Sequence, residues 1–354
     1  MLVSLISANF ELIDAFMVIT SVLFGLACLV CLLIVLRRMH RNKIIARREK
    51  QKTGFQNYLL KLLKKETLNH KGLDAAPECR IEEMASVFLH YFRTFKGKKY
   101  ESLQVLISGS AMEEKLIQTT FKGIRGVRMR ALTTLSYLDS QKSLQVIFEN
   151  LSSKDKYVRL TAARCLVRRG SLCYLAAIID RLSEAFPQDF KIIADIIAGF
   201  GTDSVEILEN YILRTDNNII KASCLEALIL IMPAQTSVQF EELMKNESDS
   251  VRAAALSLSE VTTHNQAVDP LVLGLRDKAV SVKISAAKLA CTVKRTDIMA
   301  DLYKLTSDPI MWVRYWALRA IWMSGPAGQK FIESLSKSNI MAGNVALEMK
   351  SGYA

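Results

Sequence analysis

The segment SDPIMWVRYWALRAI, residues 307–321, carries the pattern that decides the fold. Val313 is followed directly by a basic residue, Arg314, and four positions after the valine by a small residue, Ala317. The segment SDSVRAAALSL, residues 248–258, repeats this order. Because positions 0, 4 and 8 of a helix lie on one face, each segment predicts a helix with a single apolar stripe.

The pattern recurs along the chain with copies separated by 31, 32, 30, 31, 31 and 31 residues. The apolar anchors are Val127, Val158, Phe190, Ile220, Val251, Val282 and Val313. The residues four positions later are all small: Ala131, Ala162, Ala194, Cys224, Ala255, Ala286 and Ala317. We call the cations that directly follow the anchors the basic column: Arg128, Arg159, Lys191, Lys221, Arg252, Lys283 and Arg314. A second amphipathic stretch precedes each copy, so paired antiparallel helices are predicted to stack on one another.

These repeats resemble the HEAT-repeat family, in particular its short bacterial form, which is similar to the HEAT-like repeats of phycobilin-lyase subunits. The resemblance covers residues 111–338. It implies an all-α chain, a right-handed α-solenoid of about seven HEAT-type helical hairpins, here after a single transmembrane helix. One copy departs from the family pattern, with Phe190 replacing valine and Asp195 where an apolar residue is usual, which predicts a distortion. Such stacks serve many partners, so the resemblance implies little about function.

An uncharged run, AFMVITSVLFGLACLVCLLIVL, occupies residues 15–36. As a helix it is long enough to cross a bilayer, and it lacks the basic start and cleavage site of a signal peptide. A basic cluster follows it, and this predicts a cytoplasmic flank near anionic headgroups. The predicted membrane-surface residues are Arg37, Arg38, Arg41, Lys43, Arg47 and Arg48. We therefore expect a single-pass protein of the plasma (inner) membrane, with its N-terminus outside and its solenoid cytoplasmic.

Three segments are predicted on this basis. Residues 1–36 form a short N-terminus and the transmembrane helix, and residues 37–79 form a basic juxtamembrane stalk with an amphipathic helix and a hinge. Residues 80–354 form the HEAT-repeat solenoid with capping helices. In the stalk, residues 54–68 place Phe55, Leu59, Leu62 and Leu63 on one helical face. That face either lies on the membrane or caps the solenoid, and the sequence leaves both open.

The net charge of +12 is unevenly distributed. Residues 1–100 hold 17 Lys and Arg against 8 Asp and Glu, whereas residues 101–354 hold 30 against 27. Nucleic acid is therefore an unlikely partner, since duplex binding needs many unpaired cations on one surface. The exception is a candidate basic patch formed by Arg125, Arg128, Arg130, Arg168 and Arg169.

Two roles are open for the basic column. In the family, this cation looks structural, because it meets an acidic residue from the loop of an adjacent repeat. Six such residues lie one to five positions before an anchor: Asp155, Asp189, Asp216, Asp249, Asp277 and Asp308. Alternatively, the row of seven cations binds phosphates or an acidic peptide. We favour the structural ladder.

A stripe in the last copy consists of Trp312, Trp316, Arg319 and Met323, at spacings of 4, 3 and 4. Trp and Arg dominate interface hot spots when exposed, so the stripe is the candidate partner-binding site. The alternative, which we favour, is that it packs under the terminal helices.

Catalytic motifs are missing from the sequence. The four histidines, His40, His70, His90 and His264, show no metal-ligand spacing, and there is no glycine-rich phosphate loop. We therefore expect no catalytic, cofactor or metal site and no enzyme. The predicted function is a membrane-anchored scaffold or adaptor that presents a cytoplasmic HEAT surface to a partner protein or membrane enzyme complex. The alternatives are an accessory, lyase-like subunit of an enzyme and a membrane-attached DNA tether.

Overall fold

A computed structural model describes residues 2–64, 70–186, 188–262 and 269–351, with the side chains of residues 2–25, 27, 28, 70 and 71 outside this description. Over the described ranges every regular element is a helix and no strand is present, so the predicted all-α class is confirmed. The chain divides into two compact units, Met1–Ser143 and Leu144–Ala354.

The first unit is built on one very long helix. Its described helices are α1 (Leu2–Leu63), α2 (His70–Asp74), α3 (Ile81–Thr94), α4 (Lys98–Ile107), α5 (Ala111–Lys122) and α6 (Arg125–Leu135). Helix α7 (Gln141–Glu149) contains the division between the units.

The predicted single-pass placement in the plasma (inner) membrane is contradicted. In the described part of the chain, no helix combines the length and the apolar character that a bilayer crossing requires. The physical reason is length: the described apolar side chains of α1 lie between Leu26 and Leu36, about 16 Å of helix, whereas the hydrocarbon core is about 30 Å thick. Most of the other side chains of the run at residues 15–36 lie outside the described residues.

The end of α1 packs into the first unit. Phe55, Leu59 and Leu62 are buried, and the ring of Phe55 meets that of Phe88 on α3 edge-on, with 5.5 Å between the ring centroids. The hydroxyl of Tyr58 donates a hydrogen bond to the carbonyl oxygen of Gly72 at 2.7 Å. The apolar face of residues 54–64 is therefore covered by protein, while residues 65–68 lie outside the description.

The second unit consists of two rows of helices. The anchor row contains α8 (Lys156–Arg168), α10 (Phe190–Ile197), α12 (Asn218–Ile231), α14 (Asp249–Val261), α16 (Val280–Val293), α18 (Met311–Met323) and α20 (Ile340–Lys350). Each helix of this row contacts the next. The flanking row contains α9 (Leu175–Ala185), α11 (Val205–Arg214), α13 (Phe240–Met244), α15 (Pro270–Leu275), α17 (Met299–Leu305) and α19 (Pro326–Leu335). Short 3₁₀ segments lie at Asn150–Ser152, Leu172–Tyr174 and Ala198–Ser204.

The small residues of the repeat explain the close stacking of the anchor row. All seven of them are buried, six on helices of the anchor row and Ala131 on α6 of the first unit. A small side chain on the buried stripe lets neighbouring helix backbones approach, and the arrangement is that of a helical solenoid.

The copy that departs from the family pattern is also irregular in structure. Helix α10 is only 8 residues long and runs into the 3₁₀ segment, where Gly201 adopts a φ of 69°. Asp195 is exposed and forms an ion pair of 3.5 Å with Arg164. The carboxylate at this position therefore faces solvent.

Candidate functional site

The candidate site is an aromatic cluster on α18, formed by Trp312, Tyr315 and Trp316. The side chain of Trp312 is 55% exposed, and its neighbour Met311 is 50% exposed. Tyr315 contacts both tryptophans edge-on, with centroid distances of 5.8 Å to Trp312 and 5.4 Å to Trp316. The cluster therefore has one open member, Trp312, supported by two half-buried rings.

Two cations lie over the ring of Trp316. The Nζ atom of Lys288, on α16, is 4.8 Å from the ring centroid, and the guanidinium carbon of Arg319 is 5.1 Å from it. Cation–π contacts of this length hold the indole in place and leave the cations charged.

Glu348, on α20, fixes the other side of the cluster. The hydroxyl of Tyr315 donates to its carboxylate at 2.9 Å, and Nη1 of Arg319 donates to it at 2.9 Å. Burial lowers the pKa of Arg319, but its hydrogen bond to Tyr315 and the charge of Glu348 outweigh that effect and raise the pKa above its ordinary value. Arg319 is therefore permanently charged and held in one geometry.

Part of the predicted stripe is thus packed against other residues, and part of it is exposed. Trp316, Arg319 and Met323 are half-buried, whereas Trp312 is open to solvent. Sequence reasoning missed Lys288, Tyr315 and Glu348. Tyr315 lies three residues after Trp312, so helical spacing contained a signal for it, but nothing local could indicate Lys288 or Glu348.

The basic column is paired unevenly. Arg252 donates to both carboxylate oxygens of Asp277, at 2.7 and 2.9 Å, and to the carbonyl oxygens of Asn246 and Glu247. Lys283 forms the corresponding ion pair with Asp308. Both aspartates come from the loop before the next anchor-row helix, which is the arrangement expected of a structural ladder.

The other column residues have different surroundings. Nη1 of Arg314 donates to the carbonyl oxygens of Asp308 and Pro309, and Nε of Arg128 donates to that of Thr120 at 2.6 Å. Nε of Arg159 is buried without a hydrogen-bond partner. Over the described residues, the side chains of Lys191 and Lys221 have no ion-pair partner.

The predicted basic patch is distributed over two helices that belong to different units. Arg125, Arg128 and Arg130 lie on α6, and Arg130 donates to the hydroxyl of Ser86 at 3.3 Å. Arg168 is the last residue of α8 in the second unit, and Arg169 follows it. Of the predicted membrane-surface residues, Arg37, Arg38, Arg41, Lys43 and Arg47 are exposed, whereas Arg48 is half-buried.

Metal binding has no support in the part of the chain that the structure describes, since no three His, Cys, Asp or Glu side chains are grouped to hold an ion. The thiol of Cys291, on α16, interacts electrostatically with Arg319 of the candidate site. Burial raises its pKa to about 11, despite the opposing charge of Arg319, so it stays protonated at neutral pH.

Comparisons with known proteins find no matching family model and no matching curated protein. Among solved structures, the chain is similar to human deoxyhypusine hydroxylase in complex with glycerol, at 17% identity and a TM-score of 0.29. The match covers 68% of this chain and 96% of the hydroxylase.

The expectation that the chain is not an enzyme is contradicted by this comparison, because the matched structure is that of an enzyme. Sequence motifs alone did not justify the exclusion, and it is withdrawn. The identity and TM-score are too low to carry any activity, cofactor or residue role over to this chain.

Proposed function

We propose that the chain is a HEAT-type, right-handed α-solenoid of about seven helical hairpins that acts as a protein-binding scaffold or adaptor. Its recognition surface is the aromatic cluster on α18. The observation that carries the proposal is the open indole of Trp312 beside a fixed Trp316–Arg319 pair. Tryptophan and arginine supply most of the free energy at protein interfaces when they are held rigidly and then desolvated.

Pre-organisation supports this choice of surface. Arg319 is fixed by Glu348 and Tyr315, so little side-chain entropy remains to be lost when a partner covers it. Trp312 and Met311 together offer apolar area that this chain leaves uncovered. The matching partner surface is an apolar side chain that covers Trp312, next to a carboxylate that faces the exposed Lys288, since Arg319 is already paired with Glu348.

The repeat supports a protein partner over nucleic acid. Arg252 and Lys283, two cations of the basic column, are already neutralised by Asp277 and Asp308. Affinity for duplex DNA depends on the number of cations available to phosphates, and paired cations contribute little to that number.

Photo-crosslinking at the surface tests the proposal. With p-benzoylphenylalanine in place of Trp312, irradiation of intact cells is expected to give one covalent adduct of defined mass, identified by mass spectrometry. The matched position is Leu213 on α11, which is exposed to a similar degree at 56% and lies in the flanking row. Equal adducts from both positions, or none from Trp312, would contradict the proposal.

Affinity for the partner found in this way gives the quantitative check. Trp312→Ala is expected to weaken binding by more than about tenfold, because hot-spot truncations cost about 2 kcal/mol or more. The free energy of unfolding should change by less than about 0.5 kcal/mol, since the side chain is largely in solvent. Unchanged affinity for the crosslinked partner would contradict the assignment of Trp312 as a hot spot.

A further inference from the structure

A cavity lies in the first unit, beside residues 44–51 of α1. It has a volume of about 450 Å³ and is lined by Ile44, Arg47, Arg48, Gln51, Glu78, Cys79 and Arg80. The α1 residues are spaced by three or four positions, so they form one face of the helix. The opposite wall is the segment 78–80, which leads directly into α3.

Two of the three arginines of this cavity, Arg47 and Arg80, are exposed, and the third, Arg48, is half-buried. Over the described ranges, no side-chain hydrogen bond or ion pair joins Arg47, Arg48 or Arg80 to another residue, and Glu78 on the same wall also makes none. Nε of Arg48 is buried without an acceptor. Buried polar groups in folded proteins are nearly always hydrogen-bonded, so this atom indicates an acceptor that the chain itself does not supply.

The charge of the cavity lining indicates the chemical class of that acceptor. Among the lining residues, three guanidinium groups stand against one carboxylate, and the excess of positive charge is only partly offset by Glu83 in the first turn of α3. Planar guanidinium groups donate in pairs to the oxygens of phosphoryl groups, and Gln51 adds a neutral donor. Arg80 also stands at the start of α3, where its side chain caps no helical N–H and is left to donate elsewhere.

We infer that the Arg47–Arg48–Arg80 cavity binds a phosphoryl group carrying two negative charges. The same chemistry is presented by a dissolved phosphate monoester and by the headgroup of phosphatidic acid. The site is separate from the aromatic cluster and does not depend on the function proposed for it.

Cys79 lies in the cavity lining, so modification of its thiol can report whether the cavity is occupied. It is half-buried, and burial together with the charge of Glu83 raises the pKa of its thiol, so its modification is slow and sensitive to occupancy. The full-length chain is treated at constant pH and ionic strength with a neutral methanethiosulfonate, and modification is followed by peptide mass spectrometry. The exposed Cys173 serves as the internal reference.

Glycerol 3-phosphate is expected to slow modification of Cys79 at least fivefold without changing that of Cys173. Arg48→Gln and Arg80→Gln should abolish the protection, whereas Arg41→Gln, exposed on the same helix but outside the cavity, should retain it. Glu78→Gln should shift half-protection to a severalfold lower phosphate concentration, because it removes the opposing charge. This increase in affinity cannot be produced by a variant that merely fails to fold, so it tests binding directly.

The source of the phosphoryl group is distinguished by vesicles. Phosphatidylcholine vesicles that contain phosphatidic acid are compared with pure phosphatidylcholine vesicles and with glycerol 3-phosphate at equal phosphate concentration. Stronger protection by the phosphatidic acid vesicles assigns the site to a headgroup, and equal or weaker protection assigns it to a dissolved ester. If neither probe protects Cys79, or if protection survives in both Arg48→Gln and Arg80→Gln, the inference is wrong.

Discussion

The late and early copies of the repeat in the second unit carry the same basic column but use it differently. In the late copies, Arg252 and Lys283 are bound to Asp277 and Asp308, each 25 residues further along the chain. In the early copies, Nε of Arg159 is buried without an acceptor, and Lys191 meets no carboxylate over the described residues. One sequence column therefore has two physical roles.

The loop that supplies the partner has a similar local geometry in both regions. In each case a side-chain oxygen accepts the backbone N–H two residues later, as in the turns made by Asp, Asn, Ser and Thr. The turn residues are Ser153, Thr215, Asn246, Asp277 and Asp308, with N···O distances of 3.3, 3.2, 2.8, 2.7 and 2.9 Å.

For Lys191 and Lys221, whose turn residues are Thr215 and Asn246, the turn is present without a described ion pair, whereas the carboxylates of Asp277 and Asp308 provide both. A hydroxyl or amide oxygen is sufficient to begin the following helix, but only a carboxylate also neutralises the cation of the preceding copy. Arg252 and Asp277 are buried in forming their pair, with side chains 5% and 9% exposed. Two charges removed from water in this way depend on each other.

The strongest test of the comparison is Arg252→Ala. It leaves the Asp277 carboxylate buried without its main partner and frees the carbonyl oxygens of Asn246 and Glu247. We expect the free energy of unfolding to fall by about 3 kcal/mol, as when one member of a buried ion pair is removed. Urea denaturation of the full-length chain, followed by circular dichroism, measures this loss.

Lys191→Ala is the matched control from the early copies. Lys191 is exposed and makes no described side-chain contact, so the change should cost less than about 0.5 kcal/mol. Comparable losses for the two variants would mean that pairing does not distinguish the two regions.

Sequence reasoning reached the fold because the repeat is redundant. The small residues from Ala131 to Ala317 are buried in every copy, and a single helical period is enough to place them. The cation partners were harder to predict, because the acidic candidates had to be chosen among residues at several distances from each anchor. Asp189 and Asp216 looked as suitable as Asp277, yet neither carries a described ion pair with the column.

The candidate site shows the same limit. Helical spacing placed Trp312, Trp316 and Arg319 on one stripe, but their exposure depends on α16 and α20, which bring Lys288 and Glu348 to it. These contacts join residues about thirty positions apart, and local periodicity contains no information about them. The membrane prediction was wrong for a different reason, since the described apolar side chains of α1, between Leu26 and Leu36, are too few to cross a bilayer.

The pH dependence of the free energy of unfolding is a second test of the difference between late and early copies. Burial raises the pKa of the Asp277 carboxyl, but hydrogen bonds from Arg252 and from the N–H of Ala279 outweigh burial and bring the pKa below its ordinary value. A lowered pKa in the folded state contributes stability that is complete above the unfolded pKa of about 3.9 and is lost as the pH falls below it.

The variant Asp277→Asn should therefore flatten the loss of stability below about pH 4, measured as urea midpoints at a series of pH values. Its cost at neutral pH should be smaller than that of Arg252→Ala, because the amide keeps acceptors for Ala279 and the guanidinium. Asp216→Asn, whose carboxylate has no described cation partner, should leave the pH dependence unchanged. An equal flattening in both variants would show that the ion pair is not its cause.

The smallest effect is expected from converting an early copy into a late one. Asn246 occupies the position that corresponds to Asp277 and Asp308, 25 residues after Lys221, and its side chain already accepts the N–H of Ser248 at 2.8 Å. Asn246→Asp keeps that acceptor and adds a negative charge that can pair with Lys221. Because Lys221 is only half-buried, we expect a gain of about 0.5 kcal/mol in the free energy of unfolding.

A double-mutant cycle with Lys221→Ala identifies the origin of that gain. The new carboxylate also stands near the start of α14, where any negative charge interacts favourably with the helix dipole. If the charge pair is responsible, the gain disappears when Lys221 is absent, because the coupling energy belongs to the two side chains together. If the gain persists without Lys221, the dipole accounts for it, and the difference between early and late copies does not arise from the turn residue alone.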